Sequence, residues 1–567
     1  MPAFRSPSRI VRRLLWAAFG VVVVWGGWTA WQRFQRAGAA FDPGMVEAFL
    51  DTRLATLTDS VYRVRMGTLH FDVLRQAARI DSVVITTDTA RNGWLVHPYP
   101  VIRVVLAEAE VRGVGPGPDG RGFVIDEIRF AQVVASLTFA PGDGGARARV
   151  ADQLPAIVSW TAPEPEEGSQ IAVTRILLQG ISATLHPPPG SNGRDQHVEH
   201  LSVVLDSVRA DPRPESARFP ILVHDIRVLL SDFAGGWDSA STVSVAQFEG
   251  SFRDSTLRAL GLGLHPTKSI GEVLRRNRKR RDRFTVTTDS VTAHGVDWRT
   301  ALRDGAVPIR ALRVDGADLL VYSDHRLARR IWTGPPKPIL QETLRKFGRP
   351  IMIDTVELRR ARVRYQERTS GGDGVVGEVA FEDIDGRLTG LRWRPDSQIG
   401  AVIALNLRAK AWGAGPMSLT IRGPADSPIP RAEIDLFVGA MPLSAVNQFA
   451  SHVAPFEISG GTQDSLRAHV SLTDDHATGE VRPYYHDLSI RARGGSGGFF
   501  QRLGRSAKTM IANSFVIRDD NPDRDGTVSV GRIDRDRTAG QTFWPFIWTA
   551  IRGGLVPVVV GRGVDEE

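Results

Sequence analysis

Four groups of residues have types and spacings that suggest chemistry. Gly494-Gly495-Ser496-Gly497-Gly498 matches G-x-S-x-G, with an alternating stretch before it and a helical pattern after it. That context suits a nucleophile elbow. The hydrolase order also needs a histidine after the serine, and none follows His486, so the run reads as a glycine hinge. Gly115-Pro116-Gly117-Pro118-Asp119-Gly120 formally matches G-x-G-x-x-G, but two prolines and no following helix make it a surface turn. Asn521, Asp523 and Asp525-Gly526 resemble a calcium loop, yet Arg532 occupies the position of the bidentate glutamate. The alternation Val528-Val530 follows at once, so this is read as a turn opening a strand. Asp195, His197 and His200 bring no third ligand set and read as loop histidines. With no cysteine in 567 residues, thiol catalysis, disulfides and thiolate metal sites are excluded. No catalytic residue, cofactor or metal is expected, and a hydrolase is the weakest reading.

Charge points the same way. The formal net charge is +8, but Arg5, Arg9, Arg12 and Arg13 supply +4. The run Arg275, Arg276, Arg278, Lys279, Arg280, Arg281 and Arg283, less Asp282, supplies +6 and leaves the remainder at −2. Nucleic-acid binders spread basic residues over a face with interleaved aromatics, so no nucleic-acid partner is expected. Residues 275–281 read as a solvated helix face or as a contact for anionic lipid or an acidic partner.

The elements that carry these groups begin with an apolar run. Residues 14–31 hold no charge, span about 27 Å as a helix, and end in Trp25, Trp28 and Trp31. We read an uncleaved inner-membrane anchor behind a cytoplasmic tail, residues 1–13, with the body in the periplasm. A signal peptide cleaved near Ala37-Gly38-Ala39 is the competing reading.

The body alternates with period two, and three stretches share one template. Ile171, Val173, Ile176, Leu178, Ile181, Ala183 and Leu185 are spaced 2-3-2-3-2-2. The same spacings recur in Val307, Ile309, Leu312, Val314, Ala317, Leu319 and Val321, and again in Ile351, Ile353, Val356, Leu358, Ala361, Val363 and Tyr365. Steps of two keep side chains on one face of a strand, and a step of three needs a bulge or a tight turn. Bulged strand and short hairpin both satisfy the pattern. The expected fold is mostly β: a long, curved, repetitive antiparallel sheet over residues 42–498, with a few short helices. Helices are expected at 41–57, 270–283, 442–453 and 499–515. Residues 516–567 hold strands and an apolar stretch in which Phe543, Phe546, Ile547 and Ile551 share one helical face. With Trp544 and Trp548, that stretch either plugs the sheet or contacts a membrane.

An anchor followed by residues 62–71 and Ala78-Arg79-Ile80-Asp81-Ser82-Val83-Val84-Ile85 resembles the AsmA-like family of bacterial envelopes. The template repeats, residues 432–438 with Pro442-Leu443 and Gly460-Gly461, and the passage from Gly479 through Ile490 to the Trp-rich end also resemble it. The family is similar in architecture to TamB and the bridge-like lipid-transfer proteins. The resemblance implies an apolar groove that binds or conducts phospholipid in outer-membrane biogenesis or homeostasis, with no catalytic residues. The lining would be Ile171, Val173, Ile176, Leu178, Val307, Ile309, Leu312, Val314, Leu319, Val321, Ile351, Ile353, Val356 and Leu358. The alternative is an envelope scaffold or assembly factor that binds outer-membrane or other envelope proteins and carries no lipid.

Overall fold

The computed structural model describes residues 61–72, 77–92, 101–116, 123–138, 171–186, 196–210, 221–236, 241–269, 282–298, 307–327, 351–369, 376–393, 402–425, 431–453, 456–492, 517–561 and 564–566, with 272, 280, 300, 332 and 334. The anchor at 14–31, the helices at 41–57 and 499–515, the hinge at 494–498 and most of the basic run lie outside the described residues. Among the described residues no helix is long and apolar enough to cross a membrane. The chain divides into two compact units, Met1–Gly261 with His294–Pro308 and Leu262–Ala293 with Ile309–Glu567.

In the first unit β1 (Tyr62–Met66), β2 (Leu69–Asp72), β3 (Ala77–Ile80) and β4 (Val83–Thr87) are short, and a one-turn helix α1 (Thr89–Asn92) follows them. Long strands come next: β5 (Val101–Pro116), β6 (Phe123–Thr138), β7 (Ile171–His186), β8 (Gln196–Ala210), β9 (Ile221–Gly236), β10 (Ser241–Ser251) and β11 (Thr256–Pro266), which passes into the second unit at Leu262. Strands β3 and β4 both pair with β5, and β5–β6 and β7–β8–β9–β10 run antiparallel. The pair β6–β7 is parallel. A purely antiparallel sheet is therefore corrected to a mixed one. A parallel neighbour requires a crossover too long for a hairpin, and the periodicity of either strand carries no sign of it. Ile125, Ile128 and Phe130 lie beside Val173, Ile176 and Leu178, which in turn lie opposite Val208, Leu205 and Val203, and these rows share one apolar cluster.

The steps of three are where the backbone departs from a regular strand. Gly180, Gly316 and Arg360 have φ of 62°, 63° and 50°, each directly before the small or branched residue that completes the step. The register shifts between Leu178 and Ile181 and again between Leu358 and Ala361. Each bulge absorbs the odd residue, so Leu178 and Ile181 are both buried. Arg360 has no glycine freedom there, and its N–H donates to Asp385 Oδ1 at 3.0 Å. Across the earlier step of three the register does not shift. Pairing passes over Thr174 and Ser207 in one case and Asp354 and Gly390 in the other, with Ser207 at φ 52° and Gly390 at 74°.

The second unit holds β12 (Arg283–Val296) up to Ala293, β13 (Val307–Asp315) from Ile309, β14 (Asp318–Asp324), β15 (Ile351–Arg368), β16 (Val376–Trp393), β17 (Val402–Ala411), β18 (Gly415–Pro424), β19 (Arg431–Val438) and the short β20 (Met441–Pro442). A 3-10 turn Leu443–Val446 leads into α2 (Asn447–Val453), which together occupy the expected short helix. Then come β21 (Phe456–Thr473), β22 (His476–Ala492), β23 (Val528–Asp536), α3 (Phe543–Val559) and β24 (Val564–Glu566). Strands β15 to β19 and β21 to β23 pair antiparallel, while β14–β15 is parallel. The template is thus one bulged strand in β7 and β15, and two strands broken at Gly316 in β13 and β14. The helix expected at 270–283 is also corrected at its end, because Arg283 opens β12. Most of its residues lie outside the described ones, but Ser269 and Glu272 bond reciprocally in the pattern of a capping box: Ser269 N–H donates to Glu272 Oε2 at 2.8 Å, and Glu272 N–H donates to Ser269 Oγ at 3.2 Å.

Helix α3 runs unbroken through Gly553-Gly554, and both the helix and the strand beneath it are built for close approach. Phe546, Ile547, Ala550 and Ile551 bury against Val470, Leu472, Val481 and Ile533 in the second unit's largest apolar cluster. A Cβ at Gly531 of β23 would run into the Gly554 carbonyl, and one at Gly554 would lie 2.9 Å from Val481 Cγ1. Arg537, with its side chain 2% exposed, donates to Asp474 Oδ1 at 2.8 Å and fixes the turn that enters the helix. One face of α3 is therefore packed on the sheet. We expect Gly531→Val to cost about 3 kcal/mol or more, because the obstructing atom is backbone and cannot move aside. Denaturant unfolding measures it, and a loss under about 1 kcal/mol would show that the close approach is not essential.

Candidate functional site

The candidate site is one face of β12, β14, β15 and β16, where the register lines side chains up in rows across the strands. Val286, Leu319 and Val363 form one row, and Phe381 of β16 lies opposite Val363. Phe284, Val321, Tyr365 and Val379 form the next. Alternation puts both rows on the same side of the sheet. Leu319, Val321 and Val363 are half-buried, and Phe284 is 50% exposed. The Phe449 ring of α2 lies 6.1 Å from that of Tyr365, covering part of the second row.

The third row of the same face is polar. Ser323 lies opposite Glu367, and its hydroxyl donates to Asp282 Oδ1 at 2.7 Å. Tyr365 OH donates to Glu367 Oε2 at 2.9 Å, and His325 Nδ1 lies 2.9 Å from Glu367 Oε1. Burial pushes the Tyr365 hydroxyl well above its ordinary value, and the Glu367 charge adds to this. Burial also lowers His325, against the pull of Glu367 and with the help of the Arg280 charge. On the reverse face, Arg364 pairs with Asp318 at 2.9 Å. The face therefore combines apolar side chains that water still reaches with a row of polar groups whose hydrogen bonds are made within the protein.

The lining residues inferred from the template divide by unit. Val173 and Leu178 are 4% and 5% exposed and Ile176 packs against them, so in the first unit they are core. Ile309, Leu312, Val314, Leu319, Val321, Ile353, Val356 and Leu358 are half-buried. Ile171, Val307 and Ile351 open their strands, and their side chains lie outside the described ones. Of the basic run, Arg280 comes close enough to act on His325, while Arg275, Arg276, Arg278, Lys279 and Arg281 lie outside the described residues. Phe546 and Ile547 are buried, Phe543 is half-buried, and Trp544 and Trp548 are exposed.

The other motifs resolve into structural roles. His197 and His200 are strand residues of β8 rather than loop histidines. His197 Nε2 lies 2.8 Å from Glu199 Oε1, and His200 takes a bulge conformation at φ 54°. Among the described residues no group of three or more His, Asp or Glu could hold a metal ion. Asp523 Oδ1 accepts the N–H groups of Asp525 and Thr527, each at 3.0 Å, in the turn that opens β23. Asn521 is fully buried: its Oδ1 accepts Ser529 N–H at 2.8 Å, and its Nδ2 donates to the carbonyls of Ser529 and Pro483. Sequence reasoning missed this role of Asn521 and the row of Asp282, Ser323, His325 and Glu367. For the row a signal existed, since the alternations Leu319-Val321 and Val363-Tyr365 continue into Ser323-His325 and Glu367. The sequence matches no protein-family model and none of the curated proteins compared with it.

Two outcomes follow. Asn521→Ala leaves three buried backbone groups without their partner, and we expect it to cost about 2 to 4 kcal/mol in denaturant unfolding. A neutral result would mean those groups re-pair. His325 binds its proton less well folded than unfolded, so stability is full above the ordinary value of 6.5 and falls as pH drops through that value toward the lowered one. His325→Gln should make the loss of stability below pH 6.5 shallower. Identical slopes for both chains would exclude His325 as a contributor.

Proposed function

We propose that the protein acts by binding rather than by catalysis, holding phospholipid acyl chains along the apolar rows of its second unit. In this reading it is anchored in the inner membrane by residues 14–31, and its body lies in the periplasm. It contributes there to outer-membrane biogenesis or homeostasis. The observation that carries the reading is the half-exposed apolar face of β12, β14 and β15, ending in the polar row of Ser323, Glu367 and His325. The resemblance to AsmA-like proteins supports the same reading.

The magnitudes favour a hydrocarbon guest. Each methylene taken from water gains about 0.8 kcal/mol, so even half of an acyl chain in contact with these rows is worth several kcal/mol. The polar row sits where a headgroup would leave the apolar lane, and its hydroxyl, imidazole and carboxylate groups offer both donors and acceptors.

Leu319→Asp tests this, because it places a charge in the middle of the first row while leaving the backbone pairing intact. Losing about 1.5 to 3 kcal/mol of apolar contact should weaken binding by about tenfold or more. The measurement is phospholipid retained per chain, by mass spectrometry of the purified protein. Arg364→Gln, on the reverse face, is the control and should retain lipid. If a folded Leu319→Asp chain retains as much lipid as the unaltered one, this face does not bind acyl chains.

A further inference from the structure

Helix α3 has a second face that the sheet does not use. Of its 17 residues, Thr549 and Arg552 alone are not apolar, glycine or proline. A helix that is apolar all round is found within a protein interior or in contact with lipid. The sheet covers Phe546, Ile547, Ala550, Ile551, Gly554 and Val558. Trp544, Trp548 and Val556 point the other way and are 55%, 49% and 50% exposed. With Arg552, also exposed, they recur every four residues and make one stripe along the helix. Ile517, 38% exposed, adjoins its far end, because Arg518 N–H donates to the Val559 carbonyl at 2.9 Å.

We propose that this stripe docks the second unit onto the surface of an anionic phospholipid bilayer, with α3 lying in the plane of the interface. Two features select that occupant. Indole rings favour the headgroup level, where apolar contact and a polar N–H are both satisfied. The helix carries Arg552 and no carboxylate, and the sequence has no acidic residue from 538 to 564, so the only charge on the helix itself is positive and complements negative headgroups. The opposite face is locked to β22 and β23, so the stripe is already presented and little ordering is lost on contact. This is independent of acyl-chain binding on β14 and β15, since neither surface supplies residues to the other.

The absence of native cysteine allows a direct test on the full chain. A polarity-sensitive fluorophore is attached at Val556→Cys, and at Asp534→Cys on β23 as a control, since Asp534 alternates with the helix-facing Ile533. The chains are reconstituted in vesicles of phosphatidylethanolamine and phosphatidylglycerol, with and without lipid carrying a shallow nitroxide quencher. Docking at the interface should cut the emission from position 556 about twofold and leave position 534 unchanged. Arg552→Gln should weaken this response about fivefold, and Trp544→Ser with Trp548→Ser should abolish it while the thermal melt is retained. The proposal is overturned if position 556 stays water-exposed and unquenched in vesicles. It is equally overturned if position 556 becomes shielded in detergent with rising protein concentration, which would make the stripe a contact between copies, or shielded there at every concentration, which would make it a contact within the chain.

Discussion

Strand backbones must satisfy their hydrogen bonds with neighbours while keeping apolar side chains on one side, and the rest of the structure depends on meeting both demands. A single extra residue reverses every side chain beyond it. The left-handed positions at Gly180, Gly316 and Arg360 keep the apolar side continuous past the later step of three in each template. Without them Leu178 and Ile181 would lie on opposite faces, and so would Leu358 and Ala361. The rows proposed to meet lipid exist because these few backbone conformations hold.

The two units use the same strand pattern for different ends. In the first, rows such as Ile128, Ile176 and Leu205 close into a buried cluster. In the second, Leu319, Val321 and Val363 stay half-exposed, and the face ends in hydrogen-bonded polar groups. Apolar surface left in water is unfavourable in proportion to its area, so covering this open face would be favourable. The polar row tolerates its partial burial because Asp282 and Glu367 each have a hydrogen-bond partner. The arrangement stabilises the fold less than a closed core would.

Helix α3 shows the same economy at the C-terminal end. Gly531 and Gly554 remove side chains where helix and strand meet, and the gain is close burial of Phe546 and Ile551. Arg537, nearly inaccessible and bonded to Asp474, sets the direction in which the helix starts. That direction decides which apolar residues are covered and which are displayed.

The sequence by itself determined the strand character, the spacing of the steps of three, the short helix after Pro442 and the apolar run of α3, because each is encoded within a few neighbouring residues. The tertiary structure alone decided that β6–β7 and β14–β15 run parallel, since two strands of either sense have the same period. It also decided that Ser323 meets Asp282 and Glu367, which lie 41 and 44 residues away in the chain. It placed Phe546 and Ile547 inside and Trp544 and Trp548 outside, a choice that helical spacing leaves open when nearly every residue is apolar. Local pattern specifies which faces exist. Which face is buried depends on the partner that arrives, and that partner comes from elsewhere in the chain.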